Sequence, residues 1–241
     1  MTVRCRVRGD DARLALVVSG RLQLSDVASL RAQMFKCLTE QPEALLIDLS
    51  ELHVDQPLAL AVFTTVLRQA ASWPGTPVLL CGPPPATRDL LLTGAYRQLP
   101  LFSGMAAARR HITDGRRTVP TVREELLPIS GSTRHARDVV TDACLGWDLP
   151  GLVAPASLIV TEFVGNVIDH ANTMMTLRIS LRPRQLNLAV RDGSSVQPPP
   201  LRTPAPESTS GRGLLLVDAL ADSWGCLPSE GGKVMWAALR R

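Results

Sequence analysis

The chain has 241 residues and a mass of 26.0 kDa, longer than one ordinary domain of roughly 100 to 200 residues, so two compact domains are expected. Hydrophobic residues at 45% and charged residues at 20%, with a mean hydropathy of +0.10, exclude global disorder and the collagen, coiled-coil and low-complexity classes. The net charge of +4 and pI near 9.1 come from arginines scattered along the chain, and four Trp, four Phe and one Tyr give no aromatic-basic alternation, so no direct nucleic-acid partner is expected.

In chain order, Leu14 to Gly20 reads as a strand, and Ser25-Asp26 cap a helix running to about Leu38. Ala44 to Leu49 is an apolar run ending in a carboxylate, Asp48, the pattern of a strand buried on both faces. Leu58 to Ala71 has helical periodicity, Pro77 to Cys81 is a short strand, and Gly82-Pro83-Pro84-Pro85 stops it before a helix over Ala86 to Leu92. A helix over about Gly104 to Ile112 finishes this half. Strands alternating with helices indicate a small mixed α/β layer domain, residues 1–114, with a polar linker at 115–118 and a second domain over 119–241.

The second half starts afresh with a strand over Arg123 to Ile129, a helix from a Ser132 cap to about Leu145, and a longer helix over Ala154 to His170. Met174 to Leu181 and Gln185 to Val190 alternate like paired strands around an Arg-Pro-Arg turn. Ser194 to Ser210 holds five prolines and is neither helix nor central strand, which points to a lid or binding loop. Gly211-Arg212-Gly213 then opens a helix over Leu214 to Ala221, and a strand pair covers about Trp224 to Leu239. The five cysteines are widely spaced and never form a CxxC pair, so neither zinc nor a disulfide framework follows. No uncharged apolar run reaches the roughly 18 to 20 residues of a bilayer span and no cleavable leader is evident, so a cytoplasmic protein without a membrane partner is expected.

Glu162, Asn166 and His170 recur every four residues on the Ala154 to His170 helix, which keeps them on one stripe. A carboxylate beside a carboxamide offers a proton acceptor next to a hard-oxygen ligand of the kind Mg²⁺ takes; the same spacing also describes a solvent-facing polar stripe. Asp192-Gly193 ends a strand where a carboxylate can receive an exocyclic amine and glycine lets a flat ring approach the backbone, and a plain strand-ending turn reads the same way. Gly211-Arg212-Gly213 lies at a helix start, where free N–H groups and the dipole favour phosphate. The three elements in this order are much harder to obtain by chance than any one of them.

The segment Glu162-Phe-Val-Gly-Asn166-Val-Ile-Asp-His170-Ala171 resembles the N box of the Bergerat-fold ATP-binding superfamily, which includes gyrase and the histidine kinases. Asp192-Gly193 resembles its first glycine box and Gly211-Arg-Gly-Leu-Leu-Leu-Val its second. The run from Gly211 to Gly225, followed by Gly232-Lys-Val-Met-Trp236, is most similar to the anti-sigma factor serine kinases of bacterial partner switching, as is the earlier helix with Ala136-Arg137. That resemblance, over about residues 119 to 240, implies Mg·ATP-dependent phosphorylation of a protein serine or threonine. Glu162 would be the general base, Asn166 the Mg²⁺ ligand, and Asp192 with Gly193 the adenine site. Gly211, Arg212 and Gly213 would close over the phosphates, Arg137 would contact a partner, and His170 would play a structural part. Where the family usually has a threonine after the lysine of the last motif, contributing to adenine recognition, this chain has Val234. The resemblance also implies pairing of two copies.

The first half, with Ile47-Asp48-Leu49-Ser50 ending a strand and a helix after Pro57, resembles the STAS domain of anti-sigma factor antagonists over about residues 3 to 113. That family carries its phosphoacceptor serine at the helix start after this strand. Here the stretch is Val54-Asp55-Gln56-Pro57-Leu58-Ala59, and no hydroxyl occurs between Glu51 and Phe63. Thr64 and Thr65 fall further into the helix, where packing would restrict them, and Asp55 reads as an ordinary N-cap. The expected fold is therefore α/β (α+β), a STAS-like mixed sheet with helices followed by a Bergerat-fold sandwich. The expected function is a sigma-factor regulator that phosphorylates a separate antagonist or binds a sigma factor. The alternative is a non-catalytic scaffold whose partner binding ATP gates.

Overall fold

The computed structural model describes residues 3–10, 13–114, 119–198 and 213–241, and the chain divides into two compact units, Met1–Arg117 and Thr118–Arg241. The first contains β1 (Val3–Asp10), β2 (Arg13–Leu22), α1 (Val27–Thr39), β3 (Ala44–Val54), α2 (Ala61–Ser72), β4 (Val78–Cys81), α3 (Pro85–Leu91), β5 (Leu101–Phe102) and α4 (Met105–Asp114). Its sheet runs β1-β2-β3-β4-β5, antiparallel between β1 and β2 and parallel from there on. The continuous apolar run in β3 has the expected cause. Leu45 and Ile47 enter the larger core with Leu30, Met34 and Phe63, while Leu46 faces the other way onto Ala108 of α4. A central parallel strand covered on both faces cannot alternate apolar with polar.

Three local expectations change. β1 was not anticipated, although Val3, Cys5 and Val7 alternate with arginines and Val3 is buried. Thr65 is exposed, its hydroxyl donating to the Ala61 carbonyl at 3.1 Å, so packing does not shield it. Asp55 caps nothing: Gln56 occupies the N-cap of the 3-10 turn Pro57–Leu60. The Asp55 carboxylate instead takes a two-point contact from Arg21, Nε to Oδ2 at 3.0 Å and Nη2 to Oδ1 at 2.7 Å, with Gln23 Nε2 at 3.3 Å.

The second unit contains β6 (Thr121–Leu126), α5 (Gly131–Gly146), α6 (Val153–Asn166), β7 (Met175–Leu181), β8 (Gln185–Asp192), α7 (Gly213–Leu220), β9 (Ser223–Ser229) and β10 (Gly232–Arg240). Its sheet is antiparallel throughout in the order β6-β7-β8-β10-β9. One face of α6, with Ala156, Ile159, Val160, Phe163 and Val164, is buried in a core shared with α5 and with Leu177, Leu188, Val190 and Met235 of the sheet. Pro150–Ala171 is long and apolar enough to cross a membrane by length and composition, and its apolar face is this core face. The expected Ser132 cap is displaced: Ser130 holds the N-cap, and the buried Ser132 hydroxyl donates to the Leu127 carbonyl at 2.7 Å. The expected lid over Ser194 to Ser210 lies largely outside the described residues, as do 115–118.

Arg21 holds the Asp55 carboxyl below the usual carboxylate range, chiefly through its hydrogen bond, with Gln23 adding to it. A depressed folded-state pKa means that stabilisation by this carboxylate is complete above its unfolded-state pKa and disappears as pH falls through the folded value. Because the pair is exposed, Arg21→Ala is expected to return the Asp55 titration towards the ordinary range while scarcely altering stability at neutral pH, as read by NMR of the carboxyl carbon and by urea unfolding.

Candidate functional site

β8 and β10 pair antiparallel with Asp192 directly opposite Lys233. Facing residues of paired strands project to the same side of the sheet, so the two side chains meet. Lys233 Nζ lies 3.0 Å from Asp192 Oδ1 and 2.9 Å from Oδ2, and it also donates to the Ser194 carbonyl at 3.3 Å. The Ser194 amide donates to Oδ1 at 2.7 Å. The Asp192 side chain is 1% exposed and that of Lys233 11%. Oδ2, although beside the ammonium, accepts no directed hydrogen bond among the described residues.

Around this pair the backbone is drawn in tightly. A Cβ on Gly232 would run into the Asp192 carbonyl oxygen and the Gly193 Cα, and one on Gly193 would press on Thr173 at 3.3 Å. The Gly193 amide donates to the Thr173 hydroxyl at 2.9 Å, which ties the strand end to the loop before β7. Cys226, opposite Met235 on β9, has its thiol pushed up to about 11 by burial, with Asp192 adding to the rise and Lys233 opposing it. The thiol therefore stays neutral beside the ion pair.

The second cluster lies on α6. Glu162 and Asn166 are half-buried and one turn apart, and the Glu162 carboxylate makes no hydrogen bond or ion pair among the described residues. α7 begins against it: a Cβ on Gly213 would fall on that carboxylate. The helix does not continue regularly to His170. After Asn166 the backbone widens into a π turn, Val167–Ala171, closed by Asn172 in the left-handed region at φ 48°. The exposed His170 lies in that turn, outside the regular α-helical stripe expected for it. Such turns are frequent at functional sites.

The structure thus joins Asp192 with Gly193, and Glu162 with Gly213, at two places on one sandwich. Gly211 and Arg212 lie outside the described residues. Arg137 is exposed on α5. Val234, at the position where the resemblance has a threonine contributing to adenine recognition, is 1% exposed and stands opposite Arg191, on the sheet face away from Asp192. Lys233 holds the place beside the carboxylate. Strand alternation puts Lys233 and Val234 on opposite faces, and the register of β10 on β8 decides that Lys233 is the one that meets Asp192.

Residues 130–238 match the family model described as the histidine kinase-like ATPase domain, so the second unit carries a domain of that class, and ATP is the nucleotide it implies. Among solved structures, the chain is similar to an anti-sigma factor antagonist from Mycobacterium paratuberculosis, at 23% identity over 46% of this chain and 95% of that one, with a TM-score of 0.41. It is similar also to the anti-sigma factor antagonist SpoIIAA in its unphosphorylated form, at 11% identity over 48% and 100%, with a TM-score of 0.40. A substituted form of RsbS from Moorella thermoacetica matches at 19% identity over 48% and 99%, with a TM-score of 0.39. No curated protein matches the chain.

Gly232→Ala places a methyl group against backbone that cannot swing aside, and is expected to cost about 1 to 3 kcal/mol. Gly213→Ala meets only the end of the flexible Glu162 side chain and is expected to cost less. Urea unfolding of both variants checks the order, and equal costs would contradict the packing described.

Proposed function

We propose that this chain is an ATP-dependent serine/threonine-protein kinase of the anti-sigma factor type, acting in the cytoplasm on a separate anti-sigma factor antagonist within a bacterial partner-switching system. The observation that carries this reading is Asp192. It is a buried carboxylate at a strand end, held beside the Lys233 ammonium and set in a domain matched to the histidine kinase-like ATPases. An acceptor of that kind suits the exocyclic amine of adenine, and Gly193 and Gly232 keep side chains away from it.

The resemblance to anti-sigma factor kinases gives the remaining roles. Glu162 takes the proton of the attacking hydroxyl as the new oxygen–phosphorus bond forms and the bond to the ADP oxygen breaks. Its freedom from other partners among the described residues, and its place against the start of α7, support that role. Asn166 would help hold Mg²⁺, which neutralises phosphate charge when bound. Among the described residues no group of three His, Cys, Asp or Glu could hold a metal, so a hard cation would arrive with the phosphates and keep several waters, as Mg²⁺ does. Gly211 and Arg212 would line the phosphates with Gly213, and Arg137 would meet the antagonist or a sigma factor. The first unit, with Asp55 paired to Arg21 where an antagonist would carry its serine, is a docking or inhibitory element rather than a substrate.

Calorimetry of ATP with Mg²⁺ on the full chain tests the site. Asp192→Asn, which keeps the side-chain size, and Asn166→Ala are each expected to weaken binding roughly tenfold to a hundredfold. Glu162→Gln should retain binding while phosphate transfer to an antagonist drops by roughly 10² to 10⁴. ATP binding without transfer in the wild type would leave the non-catalytic, ATP-gated scaffold as the function.

A further inference from the structure

We propose that the outer edge of β1 is a docking strand for an extended acidic segment of another protein, one that carries a carboxylate at every second residue. β1 is the outermost strand of the first unit's sheet, and among the described residues it pairs with β2 alone. In an antiparallel pair every second residue turns its N–H and C=O away from the neighbouring strand. Among the described residues no backbone hydrogen bond outside the β1–β2 ladder satisfies those groups on β1. An edge in this state is a template for one more strand.

The side chains decide which strand it takes. Arg4, Arg6 and Arg8 alternate with Val3, Cys5 and Val7, so the three arginines stand in a row on one face of the sheet, about 6.6 Å from one to the next. All three are exposed. Across β2 they face Ser19, Val17 and Ala15, none of them acidic, and none of the three has an ion pair or a side-chain hydrogen bond among the described residues. On the other face Val3 is buried in the core, whereas Val7, near the far end of the strand, is 50% exposed. A strand added at this edge sets its own alternate residues on the same two faces, so it meets the arginines on one and Val7 on the other.

Three like charges in a row repel one another, and carboxylates at the same spacing relieve that repulsion while the peptide groups extend the ladder. A second copy of this chain fits badly, because antiparallel pairing of two β1 strands sets the arginines of both copies on one face, like charge against like. A nucleic-acid strand matches the charges but offers the ladder no peptide N–H or C=O and leaves Val7 uncovered. The edge therefore selects an acidic strand with apolar residues between its carboxylates. Charged residues also guard edges against unwanted pairing, and the experiment separates that protective role from docking.

The test measures the fluorescence anisotropy of labelled probes with the full-length chain at low ionic strength. The probe is a short peptide alternating glutamate with valine, compared with a block peptide of the same composition and with single-stranded DNA of the same charge. Wild type should bind the alternating peptide roughly tenfold more tightly than the block peptide, and amide exchange along β1 should slow on binding. The combined variant Arg4→Glu, Arg6→Glu and Arg8→Glu should lose the glutamate peptide and instead take a peptide alternating lysine with valine. Should that variant fail to fold, Arg6→Ala alone, at an exposed position, should weaken binding of the alternating peptide roughly twofold to fivefold, the range of one exposed ion pair. Equal binding of the alternating and block peptides overturns the proposal, since net charge alone would then attract them, and so does binding that leaves β1 exchange unchanged. Tighter binding of DNA overturns it in favour of a nucleic-acid surface. Failure of wild type to bind any probe overturns it as well and leaves the arginines as guards of the edge.

Discussion

The pairing of β8 with β10 is the constraint on which the rest of the second unit depends. Asp192 stands opposite Lys233 only because the register from Gln185–Arg240 to Asp192–Lys233 is unbroken. A slip of one residue would send every side chain of β10 to the other face. Met235, Ala237 and Leu239 would leave the core under α6, and Val234 would replace Lys233 beside the carboxylate. The apolar core and the polar pair are therefore specified together. Burial of Met235, Ala237 and Leu239 supplies the free energy that holds the ammonium at a carboxylate almost wholly removed from water.

That placement has an electrostatic cost. A carboxylate with 1% exposure loses most of its hydration, and among the described residues the ammonium and the Ser194 amide replace it. Two glycines make the arrangement sterically feasible. Gly232 lets the β10 backbone lie against the Asp192 carbonyl, and Gly193 lets the strand end close onto Thr173. A third, Gly213, lets α7 start against Glu162. All three positions lack a side chain because another atom of the site already fills the space.

Much of the fold was legible in sequence. Runs such as Ala44 to Leu49 and the alternation around Arg182-Pro183-Arg184 read correctly because strand burial and hairpin turns leave local signatures. The spacing of the candidate residues was legible where they sit on one element: the Glu162 to Asn166 step is a single helical turn, and the helix is there. What was misread depends on backbone departures or distant partners. The π turn at Val167 obeys no period that the apolar pattern carries, so His170 was assigned to a regular stripe. Asp55 was taken for a cap because its partner, Arg21, lies 34 residues earlier. That Lys233 faces Asp192 was not read, because only the pairing of β10 with β8 tells which of two neighbours does.

By itself, then, the sequence determined most of the helices and strands, the presence of two units, and the residue types available for chemistry. These follow from side-chain periodicity and composition, which act within one element. Tertiary structure alone decided which of those residues meet: Asp192 with Lys233, Glu162 with the start of α7, Arg21 with Asp55. Each pair joins segments far apart in the chain, and the pairing is set by sheet register and by helix packing over a shared core, which no local pattern encodes.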